Sequence, residues 1–130
     1  MMQLQGRKIY QGKATAEALV STKSISFYGG VDPESGTIIE IGHPLEGQSM
    51  AGKILVFPHG KGSTVGSYIM YRLSKNGKAP AAIINQDCET IIAVGAIISE
   101  IPCIDQIEIE KIKNGVEVTV DADKGLATIP

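Results

Sequence analysis

Two short apolar runs and the helical pattern between them constrain the fold more than any other feature of the sequence. The first, Ile54 to Phe57 in "GKILVFP", has four apolar residues in succession and is bounded by Gly52 and Pro58. A half-exposed strand would alternate apolar and polar residues, so an unbroken run closed by glycine and proline predicts a buried strand. "PAAIIN", Pro80 to Asn85, predicts a second. From Ser63 to Lys75, Val65, Ile69 and Leu73 recur at i, i+4 and i+8, which predicts a helix packing through that stripe and stopping at Asn76-Gly77. Strand, helix and strand within one short chain imply a mixed α/β or layered β/β/α fold, with residues 1–130 forming one domain.

The flanking segments fit around this unit. Between Ala18 and Ile41, "ALVS", "ISFYGG" and "TIIEI" are short apolar runs, and the turn signal Asp32-Pro33-Glu34-Ser35-Gly36 predicts a strand on each side of it. "DCETIIAVGAI" predicts a short helix with Asp87 near its start, and "IPCI" a further strand. Asn114-Gly115 and Asp123-Lys124-Gly125 are turns around "VEVTV" and "LATI", alternating strands expected to cap a sheet.

Charge removes several classes of function. Twelve basic residues against fourteen acidic ones leave a net charge of -2 with no basic run, and aromatic residues make up 5% of the chain. Neither the phosphate-neutralising patch nor the stacking platform of a nucleic-acid binder is present, so no nucleic-acid partner is expected. No apolar stretch approaches the roughly 20 residues of a membrane span, and "MMQLQGRKIYQG" lacks a signal-peptide core, so a cytoplasmic protein with no membrane contact is expected. Cys88 and Cys103 are expected as free thiols buried among apolar neighbours, and two cysteines are too few to hold an iron–sulfur cluster or a structural zinc.

The stretch that carries chemistry is "FPHGKGSTVGSYIM", Phe57 to Met70, where a strand passes through a glycine turn into a helix. The first N–H groups of a helix lack intrahelical partners and attract negative charge. The order Gly60-Lys61-Gly62-Ser63 is not a Walker A loop, in which lysine and hydroxyl follow the last glycine directly. Ser63 is not a nucleophile elbow either, because Lys61 and Val65 stand where glycines would be required. Two readings remain: Ser63 is an N-cap, or its hydroxyl works among the open N–H donors.

Over longer stretches, "ALVSTKSISFYGGVDPESGTIIEIGHPLEGQSMAGKILVFPHGKGSTVGSYIMYRL" and "GKAPAAIINQDCETIIAVGAIISEIP" resemble the small subunits of archaeal phosphomevalonate dehydratases, within the aconitase X group. The resemblance runs from Gly12 to Pro102 and is too dense to be one short motif. It implies a swivelling β/β/α domain similar to the mobile C-terminal domain of aconitases, working as a heterodimer with a large aconitase-like subunit. That large subunit would carry a [4Fe-4S] cluster, with no cofactor on this chain. The implied reaction dehydrates a small phosphorylated hydroxy acid, (R)-mevalonate 5-phosphate, to trans-anhydromevalonate 5-phosphate in the archaeal mevalonate pathway of isoprenoid biosynthesis.

The resemblance makes Ser63 the proton acceptor and points to Lys61, Gly62 and Thr64 as substrate-binding residues. Where many members of the family carry an arginine and a second serine, this chain has Lys61 and Thr64, which keep charge and hydroxyl but lose the bidentate fork. His43 in "GHPLEGQ" reads as a loop-shaping histidine, or one that contacts the large subunit, ahead of a general acid. Gly29, Gly30 and Asp32 read as turn residues, and Tyr28, Tyr68 and Tyr71 as core or interface residues. The loops around Gly29-Gly30, His43 to Gln48 and Gly60 to Ser63 are the expected docking face. The alternatives are the small subunit of a related aconitase X hydro-lyase, such as a cis-3-hydroxyproline dehydratase, and a non-catalytic swivelling binding module.

Overall fold

The computed structural model describes all 130 residues. Its strands are β1 (Met2–Gln5), β2 (Arg7–Tyr10), β3 (Lys13–Val20), β4 (Ile54–Phe57), β5 (Ala82–Asn85), β6 (Cys103–Asp105), β7 (Glu117–Asp121) and β8 (Leu126–Ile129). They form one sheet in the order β1-β8-β7-β3-β4-β5-β6-β2. β3, β4, β5 and β6 run parallel, while β1, β8 and β7 continue the sheet antiparallel from β3, and β2 closes on β6 antiparallel. The helices are α1 (Phe27–Gly30), a kinked single turn, and α2 (Gly66–Lys75) and α3 (Thr90–Ser99), each of ten residues.

β1 and β2 are opposite edges of this order, yet only Gly6 separates them in sequence. The sheet must therefore curl until its edges nearly meet. Gly6 N–H donates to Gly125 O at 2.8 Å, and its Cα lies so close to Asp105 O that no side chain fits. The curl makes two cores. Inside it lie Ile54, Val56, Ile84, Ile104, Val118 and Val120; outside, Leu55, Phe57, Ile83 and Cys103 pack against Ile69, Met70, Leu73, Ile92 and Ala96 of the helices. Every residue of β4 and β5 is buried, which is why both read as continuous apolar runs rather than alternations. Burying each of the larger side chains stabilises the fold by about 1.5–3 kcal/mol.

The structure corrects several expectations. α2 begins at Gly66 with Val65 exposed, so the packing stripe is Ile69, Met70 and Leu73 without Val65. α3 is capped by Glu89, not Asp87, because only the Glu89 carboxylate reaches the first amides. The segments flanking Asp32 to Gly36 pair only through the single bridges Val31–Ile38 and Thr37–Ser49 and are not strands, and "FYGG" is α1. The tail strands do not merely cap a sheet; with β1 and β3 they make half of it. α2 and α3 pack closely because Gly95 leaves no Cβ where the Met70 sulfur lies.

Candidate functional site

The turn between β4 and α2 is held down on one side by the segment after β3. Ile25 N–H donates to His59 O at 3.3 Å and Lys61 N–H donates to Ile25 O at 3.2 Å. Its glycines are required by space and by backbone. A Cβ on Gly60 would lie 2.5 Å from Glu89 Oε1, and Gly62 has φ +88° with Ser26 Oγ 2.5 Å from where its Cβ would be.

Ser63 follows. Its Oγ accepts the Val65 N–H at 3.1 Å and its carbonyl accepts the Gly66 N–H at 2.9 Å, opening the turn that continues into α2. Ser63 thus closes a hydroxyl-bonded turn just ahead of α2, whose N-cap position is Val65 with no side-chain cap, and it is exposed. The N–H groups of Gly62, Ser63 and Thr64 make no hydrogen bond within the chain. These three consecutive unpaired donors and a hydroxyl lie in the loop just ahead of α2, whose own first amides are bonded to Ser63 O, Thr64 O and Val65 O, and they are available to an anionic oxygen.

Lys61 is exposed, and its ammonium lies 3.6 Å from Glu40 Oε2. Glu40 packs against Gly30, and Ser26 Oγ donates to Tyr28 O at 3.0 Å beneath Gly62. Sequence reasoning missed both Ser26 and Glu40, since nothing local links residues 26 and 40 to a turn at 60–64. His43 is buried: Nε2–H donates to Ser24 O at 3.1 Å, next to the Ile25 that holds the turn, and Nδ1 accepts the Leu45 N–H at 3.0 Å, so it ties its own loop to the segment after β3. Asp32 accepts from Glu34 N–H and Ser35 Oγ–H, bonds that hold its carboxyl below the usual range, and it is a turn residue as its neighbours suggest.

The two largest hollows, of about 420 and 360 Å³, are lined by residues such as Gln86, Gln106, Glu110 and Ile112 and include none of Lys61 to Thr64. A smaller one of about 250 Å³, between α2 and α3, reaches the turn at Thr64. The candidate site is therefore an open ledge rather than an enclosed pocket.

A sequence model of the aconitase X swivel domain matches residues 3–129. The chain belongs to the aconitase X swivel-domain family. This swivel domain is 59% identical over 124 residues to the phosphomevalonate dehydratase small subunit of Thermococcus kodakarensis, covering 95% of this chain and 93% of that one. It is 57% identical over 128 residues to the protein of the same name from Methanocella arvoryzae, covering 96% and 97%. It superposes on a chain of the crystal structure of Thermococcus kodakaraensis aconitase X in its holo form with a TM-score of 0.99 at 56% identity, covering 100% of this chain and 99% of that one.

Aconitase-type chemistry implies an iron–sulfur cluster, and the swivel domain's own residues do not fit one. No three histidine, cysteine or carboxylate side chains converge anywhere in it. Cys88 is half-buried and Cys103 fully buried, and a hydrogen bond with Cys88, together with burial, pushes the Cys103 thiol well up from its ordinary value.

Proposed function

We propose that the chain is the small subunit of a hydro-lyase that dehydrates (R)-mevalonate 5-phosphate to trans-anhydromevalonate 5-phosphate, and that Ser63 is its proton acceptor. The names carried by its close relatives support the substrate class. The observation that carries the role of Ser63 is its exposed Oγ, receiving the Val65 N–H at 3.1 Å beside three open backbone donors.

In this reading a large subunit carries the cluster, and the work left to the small subunit is proton transfer and anion binding. The open N–H groups of Gly62 and Thr64 and the ammonium of Lys61 hold an anionic oxygen of the substrate, with Lys61 turning from Glu40 to do so. The same donors and the dipole of α2 stabilise the Ser63 alkoxide that takes the proton from the carbon next to the substrate carboxylate. The electron pair of that C–H bond forms the new double bond as the hydroxyl group leaves the adjacent carbon.

The test is the co-purified pair of subunits, assayed on mevalonate 5-phosphate and on cis-3-hydroxyproline. Turnover of the first, with solvent deuterium entering the substrate at the carbon beside its carboxylate, is expected. Turnover of the second alone would move the chain to the related hydro-lyase, and an assembled pair inert on both would leave a binding module.

A further inference from the structure

α3 is apolar all the way round. Its sequence, TIIAVGAIIS, carries no charge, yet only part of its circumference faces the core, where Ile92, Gly95, Ala96 and Ser99 are buried. Val94, Ile97 and Ile98 are 42%, 50% and 38% exposed. With Thr90 they stand at i, i+4, i+7 and i+8, one continuous outer face. A surface helix of a free-standing domain turns charged residues to water there, as α2 does with Arg72 and Lys75. α3 turns isoleucine and valine instead.

This face is joined to the Ser63 turn. The hollow of about 250 Å³ between the helices is lined by Thr64, Ser67, Tyr68, Thr90, Ile91 and Val94, so it begins one residue from Ser63 and ends on the outer face of α3. Tyr68 is 66% exposed within it, and no lining residue is charged. On the other side of the turn, Ile39 and Ile41 are exposed and flank Glu40, the residue that meets Lys61. The ledge thus lies between two apolar surfaces.

We propose that the outer face of α3, together with Tyr68, is the surface on which the large subunit docks, and that its complement there is apolar and uncharged. The inference rests on reading the chain as a small subunit. A partner that presents substrate to Ser63 must approach Thr64, and the groove leads it from there onto α3 without meeting a charge. A second copy of this chain seated in the groove would cover the approach to Ser63 instead of completing it. The docking face expected from the loops alone therefore extends across α2 and α3.

The full-length variants Val94→Glu and Ile98→Glu, each titrated with the purified large subunit, test this. Both positions are exposed, so the fold should hold, and the dissociation constant should rise about a hundredfold for a charge placed in an apolar contact. Thr119→Glu, exposed on β7, should bind as wild type does. In the wild-type pair, hydroxyl-radical labelling of Tyr68 and Ile97 should fall when the large subunit is added, a readout that needs no variant. Wild-type affinity in the two folded α3 variants, or unchanged labelling of Tyr68 and Ile97, overturns the proposal. So does loss of self-association of the small chain in those variants with large-subunit affinity intact, because the occupant is then a second copy. Assembly lost in the α3 variants, with a wild-type pair that turns over no mevalonate 5-phosphate, would keep the docking face and discard the substrate assignment.

Discussion

Two turns leave neighbouring strands of the sheet at the same end and enter helices of equal length, and they are built in opposite ways. After β5, Glu89 Oε2 accepts the Ile91 N–H at 2.8 Å and Oε1 the Ile92 N–H at 3.0 Å, a carboxylate at the positive end of α3. Behind it, the wholly buried Asp105 carboxylate accepts the Cys88 N–H at 2.9 Å and two bonds from Arg7 at 2.9 and 2.8 Å. After β4, one serine hydroxyl accepts one N–H, and three further N–H groups stay open to solvent. The first turn gives most of its donors to carboxylates and leaves the Glu89 and Thr90 N–H groups unpaired, whereas the second leaves three consecutive N–H groups unpaired beside a hydroxyl.

The sharpest way to break this contrast is to alter the accepting side chain of each turn in the assembled enzyme and measure turnover. Ser63→Ala should lower kcat by about a thousandfold, near 4 kcal/mol, with subunit assembly unchanged. Glu89→Gln, in the closed turn, should leave kcat within a few fold of wild type. If Ser63→Ala turns over within about tenfold of wild type, the loss is about 1.4 kcal/mol, too small for an essential base, and the two turns do not differ in function.

A stability measurement sharpens the other half of the contrast. Asp105→Ala strands the buried Cys88 N–H while Arg7, largely exposed, returns to water, and denaturant unfolding should show a loss of about 2 kcal/mol. Burial alone would push the Asp105 carboxyl up, but hydrogen bonds from Arg7 and Cys88 N–H and the guanidinium charge outweigh it and hold it below its usual range. A carboxylate with a folded pKa below its unfolded value of about 3.9 stabilises the fold above that pH and loses the contribution as pH falls through the folded pKa. The acid side of the stability profile should therefore flatten in Asp105→Asn. A profile unchanged below about pH 4 would remove Asp105 from the support of the closed turn.

Next in size is the cap itself. Glu89→Ala frees the Ile91 and Ile92 amides at the start of α3 and should cost about 1–2 kcal/mol, read as a lower Tm with kcat per assembled enzyme little changed. A loss of activity in excess of the loss of folded protein would mean that the closed turn also serves catalysis, since Gly60 packs directly on Glu89.

What the sequence revealed follows the same division. β4, β5 and α2 were legible because burial on both faces of a strand and on one face of a helix writes a local pattern into consecutive residues. β1 and β2 were not. "MQLQ" and "RKIY" are edge strands, of whose eight residues only Leu4 is fully buried, so they leave almost no apolar signal. Nor could sequence show the closure of the sheet, which depends on Gly6 meeting Gly125 and Asp105 across about a hundred residues of chain. At the site, Ser63 and its glycines were legible as a strand-to-helix turn, whereas Glu40 and Ser26 come to it through the chain path after β3.

The smallest expected effect separates the two duties of Ser63 within one residue. In the turn that leads into α2 it offers a single hydroxyl to the single exposed Val65 amide, so Ser63→Ala should destabilise the isolated chain by about 1 kcal/mol at most and Ser63→Gly by only a few tenths, because glycine lets water reach the freed N–H. Catalysis makes no such distinction, since neither residue can take a proton. The two variants should therefore differ in Tm and be equally inactive in the assembled enzyme. Activity that followed Tm instead, with Ser63→Gly recovering turnover in step with its stability, would mean that the hydroxyl serves only the helix, and the open turn would then differ from the closed one in strength of capping alone.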